Sequence, residues 1–291
     1  MKSRAIKYLL ILLAVILWGN SFIATKIALE ELSPEAIISL RLIIAIIFLF
    51  FTAVFLKKDF RVNIKNHGFI FILSLVSVFH LWIQVTGLNF TTAANSGWIV
   101  GTAPIFIATL GAIFFKEKIN LIKISGIIVA MFGLFLLISK GELLAISLIE
   151  SQGDFLVLGS AFVWGVYSIV NKKISISYSP LMTIFYLFLM MTIIIVPFNL
   201  NEKTLVSIIH LSSESWMAVV FLGLFCSGIA YVIWSYALRE MKSAKVGAFL
   251  YFEPAATVIS AWFILSESIT TLMLISGIII TLGVILVNKE D

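Results

Sequence analysis

Glu253 stands directly before Pro254 inside Val246 to Trp262, an apolar stretch of membrane-spanning character. An ionisable side chain at bilayer depth is costly unless it faces protein, water or a partner, so it is a candidate for function by default. Pro254 donates no backbone hydrogen bond and crowds the preceding turn, which loosens the helix and frees a carbonyl. If the helix enters near Ala244, Glu253 lies about 13 Å in at ~1.5 Å per residue, close to the middle of a ~30 Å hydrocarbon core. A dry surrounding favours a protonated carboxyl and an arriving cation favours the charged one, so a buried carboxyl can exchange a proton for a cationic group. The structural alternative is that Glu253 only caps backbone groups freed by Pro254.

Ser74, Ser77, His80 and Gln84 recur at spacings of three, three and four, which puts them on one helix face. A polar stripe in a membrane helix points into the bundle or a wet cavity. Histidine is the side chain that titrates nearest neutral pH, so His80 joins Glu253 as a proton-coupling candidate. The competing reading makes His80 and Gln84 interhelical glue worth roughly 0.6 kcal/mol per bond. Asn95, Trp98 and Thr102 form a second stripe, and Phe249, Glu253, Thr257 and Ser260 a third. Trp18 and Trp164 both fall near mid-membrane, with Trp82, Trp98, Trp234 and Tyr231 as further aromatics. Membrane tryptophan belongs by habit to the interface, so a midplane position is informative. Aromatic faces suit apolar or cationic solutes at ~0.5–2 kcal/mol per cation–π contact, with packing as the alternative for each ring. Adding Asn20 and Tyr167, the candidate substrate lining is Trp18, Asn20, His80, Gln84, Asn95, Trp98, Trp164, Tyr167, Tyr231 and Glu253. Arg41, about 10 Å below Pro34, either snorkels to headgroups, as Lys26 and Lys172 can, or meets a substrate carboxylate.

The elements that must position these residues follow from composition. Of 291 residues 61% are hydrophobic and 12% charged, with mean hydropathy +1.13, which fits an all-α polytopic membrane protein and no soluble core. One cysteine, Cys226, and three distant histidines, His67, His80 and His210, point to no disulfide framework, metal or cofactor. The net charge of +5 reflects basic residues gathered in alternate loops, which signals topology and no nucleic acid. The N-terminal apolar run lacks a cleavage pattern and is expected to be retained. No phosphate loop is present, so no ATP-driven motor is expected in this chain.

Ten apolar segments can be marked: Ile6 to Ala28, Glu35 to Leu56, Gly68 to Leu88, Ala93 to Phe115, Ile122 to Ile138, Asp154 to Asn171, Pro180 to Pro197, Trp216 to Tyr236, Ala244 to Leu265 and Thr271 to Val287. The sixth and seventh, at 18 residues each, are candidates for irregular helices. Sixteen of the 20 lysines and arginines fall at the termini and in alternate connections, which puts both termini in the cytoplasm. The opposite connections are acidic.

Residues 1 to 138 laid over 154 to 288 show a weak repeat. Trp18-Gly19 falls on Trp164-Gly165, Lys26 on Lys172 and Ser33-Pro34 on Ser179-Pro180 at an offset of 146. Gly97 falls on Gly247, Pro104 on Pro254 and Glu117 on Glu267 at 150, and Ser125-Gly126 on Ser276-Gly277 at 151. With an odd number of spans per half, the second copy enters from the opposite face, and inverted repeats of this kind mark secondary transporters with a site near the midplane.

At these residues the chain resembles the drug/metabolite transporter superfamily, specifically the EamA-type exporters built from two five-helix repeats. The resemblance rests on Trp18-Gly19-Asn20-Ser21-Phe22, Trp164-Gly165, Pro34 with Arg41, Pro104 with Glu117, and Glu253-Pro254 with Glu267. It implies two repeats, residues 1–140 and 153–288, and export of small metabolites such as amino acids, or of toxic cations, without ATP. It further implies a central cavity between helices one, three, four, six, eight and nine. Leu187 stands where the second half would repeat Arg41. Expected partners are a small-molecule substrate, protons and the lipid bilayer of the cell membrane, in a monomer or homodimer. An intramembrane enzyme would need a paired nucleophile and base or a metal cluster, and none is visible. A non-transporting sensor or scaffold is the remaining alternative.

Overall fold

The computed structural model describes residues 4–60, 67–117, 119–139, 151–175, 179–199, 201–265 and 271–288. Lys140, Glu267 and Lys289 lie outside these residues, as do the side chains of Asn95, Trp98 and Trp262. Every regular element among the described residues is a helix. In order they are α1 (Arg4–Leu29), α2 (Pro34–Phe55), α3 (His67–Asn89), α4 (Ala93–Val100), α5 (Ala103–Phe115), α6 (Leu121–Ser139), α7 (Gln152–Ser175), α8 (Pro180–Asn199), α9 (Glu202–Ile209) and α10 (Ser213–Phe221). A π-helical stretch (Leu222–Ile229) leads into α11 (Ala230–Glu240); α12 (Ser243–Gly247) and a 3₁₀ stretch (Ala248–Phe252) lead into α13 (Glu253–Leu265), and α14 (Thr271–Asn288) follows. Among the described residues six helices are long and apolar enough to cross a membrane: Ala5–Leu29, Pro34–Phe55, Gly68–Asn89, Gln152–Ser175, Pro180–Asn199 and Ser213–Glu240. Ala103–Phe115, Leu121–Leu136 and Leu274–Asn288 are shorter apolar helices.

The helix starts follow local chemistry. Ser33 accepts from the Ala36 amide at 3.2 Å with Pro34 in the first turn, and Ser212 and Asn201 cap α10 and α9 in the same way. The sixth and seventh segments, expected as candidates for irregularity, are regular helices of 24 and 20 residues. Irregularity falls instead on the fourth, eighth and ninth. The fourth breaks between Val100 and Ala103, just ahead of Pro104, and the ninth passes through its 3₁₀ turn just ahead of Pro254, because proline denies the ladder a donor and its ring crowds the carbonyl four residues back. The π stretch of the eighth packs on α2 through two glycines: a Cβ at Gly223 would lie 2.7 Å from Ile44 Cβ, and one at Gly228 2.7 Å from Phe48 Cδ1.

Around the centre, α1 packs on α13 and on the α10–α11 segment, α3 and α5 pack on α7, α2 on α8, and α6 on α14. Two crossings bring backbones together. A Cβ at Gly19 would meet the Glu253 carbonyl oxygen at 2.6 Å and Ala256 Cβ at 2.9 Å, and one at Gly165 would meet Phe106 Cβ at 2.9 Å. Gly126, Gly133 and Gly283 let α6 and α14 touch in the same manner, the close approach typical of small residues in membrane helices. Large apolar side chains such as Phe51, Phe55, Phe114 and Phe198 cover the outside.

Polar ties gather at the two ends. At one, Lys7 pairs with Glu240 at 3.0 Å and Lys172 with Glu117 at 2.6 Å. At the other, Glu31 accepts from Ser212 and Ser215, and Thr91 donates to Asp154 at 2.6 Å. The α10–α11 segment runs from Ser212 at the second end to Glu240 at the first, so α1 and α7 run in opposite directions.

Candidate functional site

Arg41, His80 and Glu253 come from α2, α3 and the start of α13 to line one cavity. Each is 4% exposed. Trp18, Gln84, Trp164 and Tyr231 share the lining. The wall is mostly apolar and aromatic with a few convergent polar groups, the common character of a small-molecule site.

The aromatic wall is a single packed cluster. Trp18 meets Trp164, Trp234 and Tyr231 edge to face at centroid distances of 5.0, 5.3 and 5.6 Å, and Tyr167 stacks on Trp164 at 4.7 Å. Edge-to-face and offset pairs of this kind are the favoured ring arrangements. The indole of Trp18 donates to the Cys226 carbonyl at 3.0 Å, an acceptor inside the π stretch. The next residue of that stretch, Ser227, accepts from Arg41 Nε at 2.9 Å. Thus the widened turn orients both a ring and a charge, as such turns tend to do at functional sites. His80 Nδ1 lies 3.0 Å from the Ser160 carbonyl oxygen, to which it donates, leaving Nε2 as an acceptor in the neutral ring. Among the described residues the Glu253 carboxylate makes no hydrogen bond, so no contact supports the reading in which it caps the backbone beside Pro254.

Six of the ten sequence candidates meet at this cavity: Trp18, His80, Gln84, Trp164, Tyr231 and Glu253. Tyr167 is fully buried behind Trp164, and Asn20 donates to Ile16 of its own helix at 2.8 Å without lining the cavity. The side chains of Asn95 and Trp98 lie outside the described residues. Trp82, named as a further aromatic, is 41% exposed and donates to Glu35 at 3.1 Å, because its position on α3 turns it outward. Trp234 is buried and donates to Ser168 at 3.2 Å. Ser74 and Ser77 donate to carbonyls of their own helix.

Two cations depart from the snorkelling expectation. Arg41 points inward onto Ser227, where it completes the cavity wall. Lys172 turns inward too, since Glu117 offers it a carboxylate at 2.6 Å and Met241 a carbonyl at 2.8 Å. Glu117 also accepts from the Ser243 amide at 2.9 Å. Burial pushes the Glu117 carboxyl up, but the hydrogen bonds from Lys172 and Ser243 outweigh it and hold the group below its usual range. The sequence signal for Arg41 was its isolation as a lone charge in an apolar helix; nothing in the residue types marked Ser227 or the π stretch.

The family model for EamA-like transporters matches residues 5–139 and again residues 151–289. A protein of Archaeoglobus fulgidus described as an uncharacterized transporter is 31% identical over 98% of both chains. A protein of Salmonella typhimurium described as a probable amino-acid metabolite efflux pump is 26% identical over 94% of this chain and 92% of its own. A crystal structure with 16% identity superposes over 98% of this chain and 96% of the other with a TM-score of 0.74, a likeness of fold.

Proposed function

The chain belongs to the EamA-like transporter family, and from that premise we propose that it is a secondary-active exporter of small organic metabolites, amino acids or related compounds, coupled to protons through Glu253. The family is one of membrane transporters, and the apolar helices fit an integral membrane protein, so an intramembrane enzyme is set aside. The metabolite class takes support from the Salmonella relative, described as a probable amino-acid metabolite efflux pump.

The proposed architecture is ten spans in two inverted repeats, residues 1–140 and 153–288, with both termini in the cytoplasm. Four observations support it. The family model matches twice. Helices α1 and α7, which carry the related Trp18-Gly19 and Trp164-Gly165, run in opposite directions. Gly19 touches Ala256 while Gly165 touches Phe106, and the two contacts are related by the repeat, Gly19 to Gly165 at the offset of 146 and Phe106 to Ala256 at 150. The helix irregularities ahead of Pro104 and Pro254 are related likewise, as discontinuous helices are in transporters of this architecture.

The single observation that carries the function is the buried Glu253 carboxylate, free of hydrogen bonds among the described residues and open to an aromatic cavity. A proton occupies it when the cavity is empty, and a positively charged substrate group displaces that proton. His80, whose Nε2 accepts in the neutral ring, is the second proton-handling group of the cavity. The aromatic wall and single carboxylate also favour a second reading, efflux of toxic organic cations. The test is transport in vesicles. Glu253→Gln is expected to keep the protein folded and able to exchange substrate without a gradient while abolishing proton-driven accumulation. Full gradient-driven accumulation by the glutamine variant would remove Glu253 from the mechanism.

A further inference from the structure

Arg41 brings a positive charge into the cavity, and Glu253 a carboxyl that becomes negative once its proton is displaced, without the two meeting. Both are 96% buried by the measure of their 4% exposure, and among the described residues no ion pair joins them. Arg41 makes one hydrogen bond, through Nε to Ser227 at 2.9 Å, which leaves both terminal nitrogens of its guanidinium without a partner among those residues. The Glu253 carboxylate is in the same condition. A buried charge is costly until it is paired, so the site gains most from a ligand that supplies both counter-charges at once. An organic cation would pair Glu253 and leave Arg41 opposed to it, and an anion would do the reverse.

Resting on the amino-acid reading above, the geometry assigns the two ends of such a zwitterionic substrate: its carboxylate lies on the free nitrogens of Arg41 and its ammonium on Glu253. The remaining side chain then faces Trp18, Trp164 and Tyr231. Ser227 is a positioning residue, because its bond to Nε fixes the plane of the guanidinium and so the direction in which the terminal pair can accept a carboxylate. His80 is held by Ser160 and does not compete for either charge.

The experiment is thermal stabilisation of the purified full chain by each proteinogenic L-amino acid at millimolar concentration, beside its amide, which lacks the anion, and its N-acetyl derivative, which lacks the cation. At least one amino acid is expected to stabilise the wild type, with both derivatives weaker by about tenfold or more in apparent affinity. Arg41→Gln should erase the preference for the acid over the amide and leave the preference for the free amine. Glu253→Gln should do the opposite, and Ser227→Ala should weaken the first preference alone. The comparison of derivatives on the wild type needs no variant, so a misfolded Arg41→Gln protein would not rescue the idea. Stabilisation by the amides or by tetraphenylphosphonium as strong as by any amino acid overturns it, and so does the absence of stabilisation by every amino acid. Zwitterion selectivity without transport in liposomes would sink the exporter reading alone; transport restricted to cations would sink the zwitterion alone.

Discussion

A Cβ at Gly19 would lie 2.6 Å from the Glu253 carbonyl oxygen, a backbone atom that cannot step aside, so α1 and α13 touch there only because residue 19 has no side chain. Gly19→Ala is expected to destabilise the protein by about 1–3 kcal/mol, the usual cost of overpacking. Gly277 offers the control, since a Cβ there meets nothing within 4 Å. Gly277→Ala should be neutral or stabilise by about 0.4–1 kcal/mol through the unfolded chain. Thermal unfolding of the two variants in one detergent reads the contrast, and equal shifts would deny Gly19 its part in the crossing. At this scale much of the cavity was legible in residue type. Glu253, His80 and Gln84 are polar groups in apolar runs, and each lines the cavity. Arg41 shows where such reading stops: spacing gives depth along a helix, but the choice between headgroup and interior rests on Ser227, 186 residues away, and no local signal encodes that contact. Asn20 failed to reach the cavity because α1 presents Trp18 and Ser21 there while Asn20 bonds back to Ile16.

The connection between α5 and α6 carries Glu117, which joins the end of α7 through Lys172 to the first residue of α12, Ser243. Both partners of this pair are largely buried, with side-chain exposures of 11% for Lys172 and 8% for Glu117. Lys172→Met would strand the carboxylate, at a cost of about 3–5 kcal/mol, and adding Glu117→Gln should recover part of the loss. Thermal stabilities of the single and double variants measure the coupling, and additive effects would show that the pair is decorative. Because the folded carboxyl sits below its ordinary range, its stabilising contribution is present above that range and disappears as pH falls through the lowered value. The tie is therefore expected to survive mild acid, with the extra acid sensitivity absent in Glu117→Gln. Element boundaries were legible here because Ser33-Pro34 and Ser179-Pro180 are helix starts in any context. The interruptions were not, since hydropathy read over a long window averages across a broken turn. Pro104 and Pro254 were the visible cues for two of them. The short α9 was missed because eight residues fall below spanning length.

At the scale of the molecule, the two-repeat reading separates a shared frame from a site that belongs to one half at a time. Gly19 and Gly165, Trp18 and Trp164, Pro104 and Pro254 recur. The charged groups do not: Ala103, Ala230 and Leu187 occupy the positions related to Glu253, His80 and Arg41. Helix packing repeats through sequence patterns that survive divergence, whereas the cavity is legible only when those helices are brought together. The inverted arrangement predicts that a cysteine placed beside Lys172 and Lys173 faces the cytoplasm. The native Cys226 is buried, so it gives a quiet background for labelling. An impermeant thiol reagent should leave the new cysteine unmodified in intact cells and modify it after permeabilisation; labelling in intact cells would overturn the inversion.

The π stretch from Leu222 to Ile229 accommodates roughly one residue more than an α-helix over the same rise, so it lets the chain take up an insertion without changing the helical phase between α10 and α11. Removing that residue, for example by deleting Leu224, is expected to return the segment to an uninterrupted α-helix with Tyr231 and Trp234 still in phase with the core. What would disappear is the displaced backbone that presents the Cys226 carbonyl to Trp18 and the Ser227 hydroxyl to Arg41. The deletion should therefore fold and insert yet lose substrate affinity, and a deletion variant that binds like the parent would show that the extra residue carries no information for the site. One inserted residue would then be what divides a stable membrane bundle from a selective one.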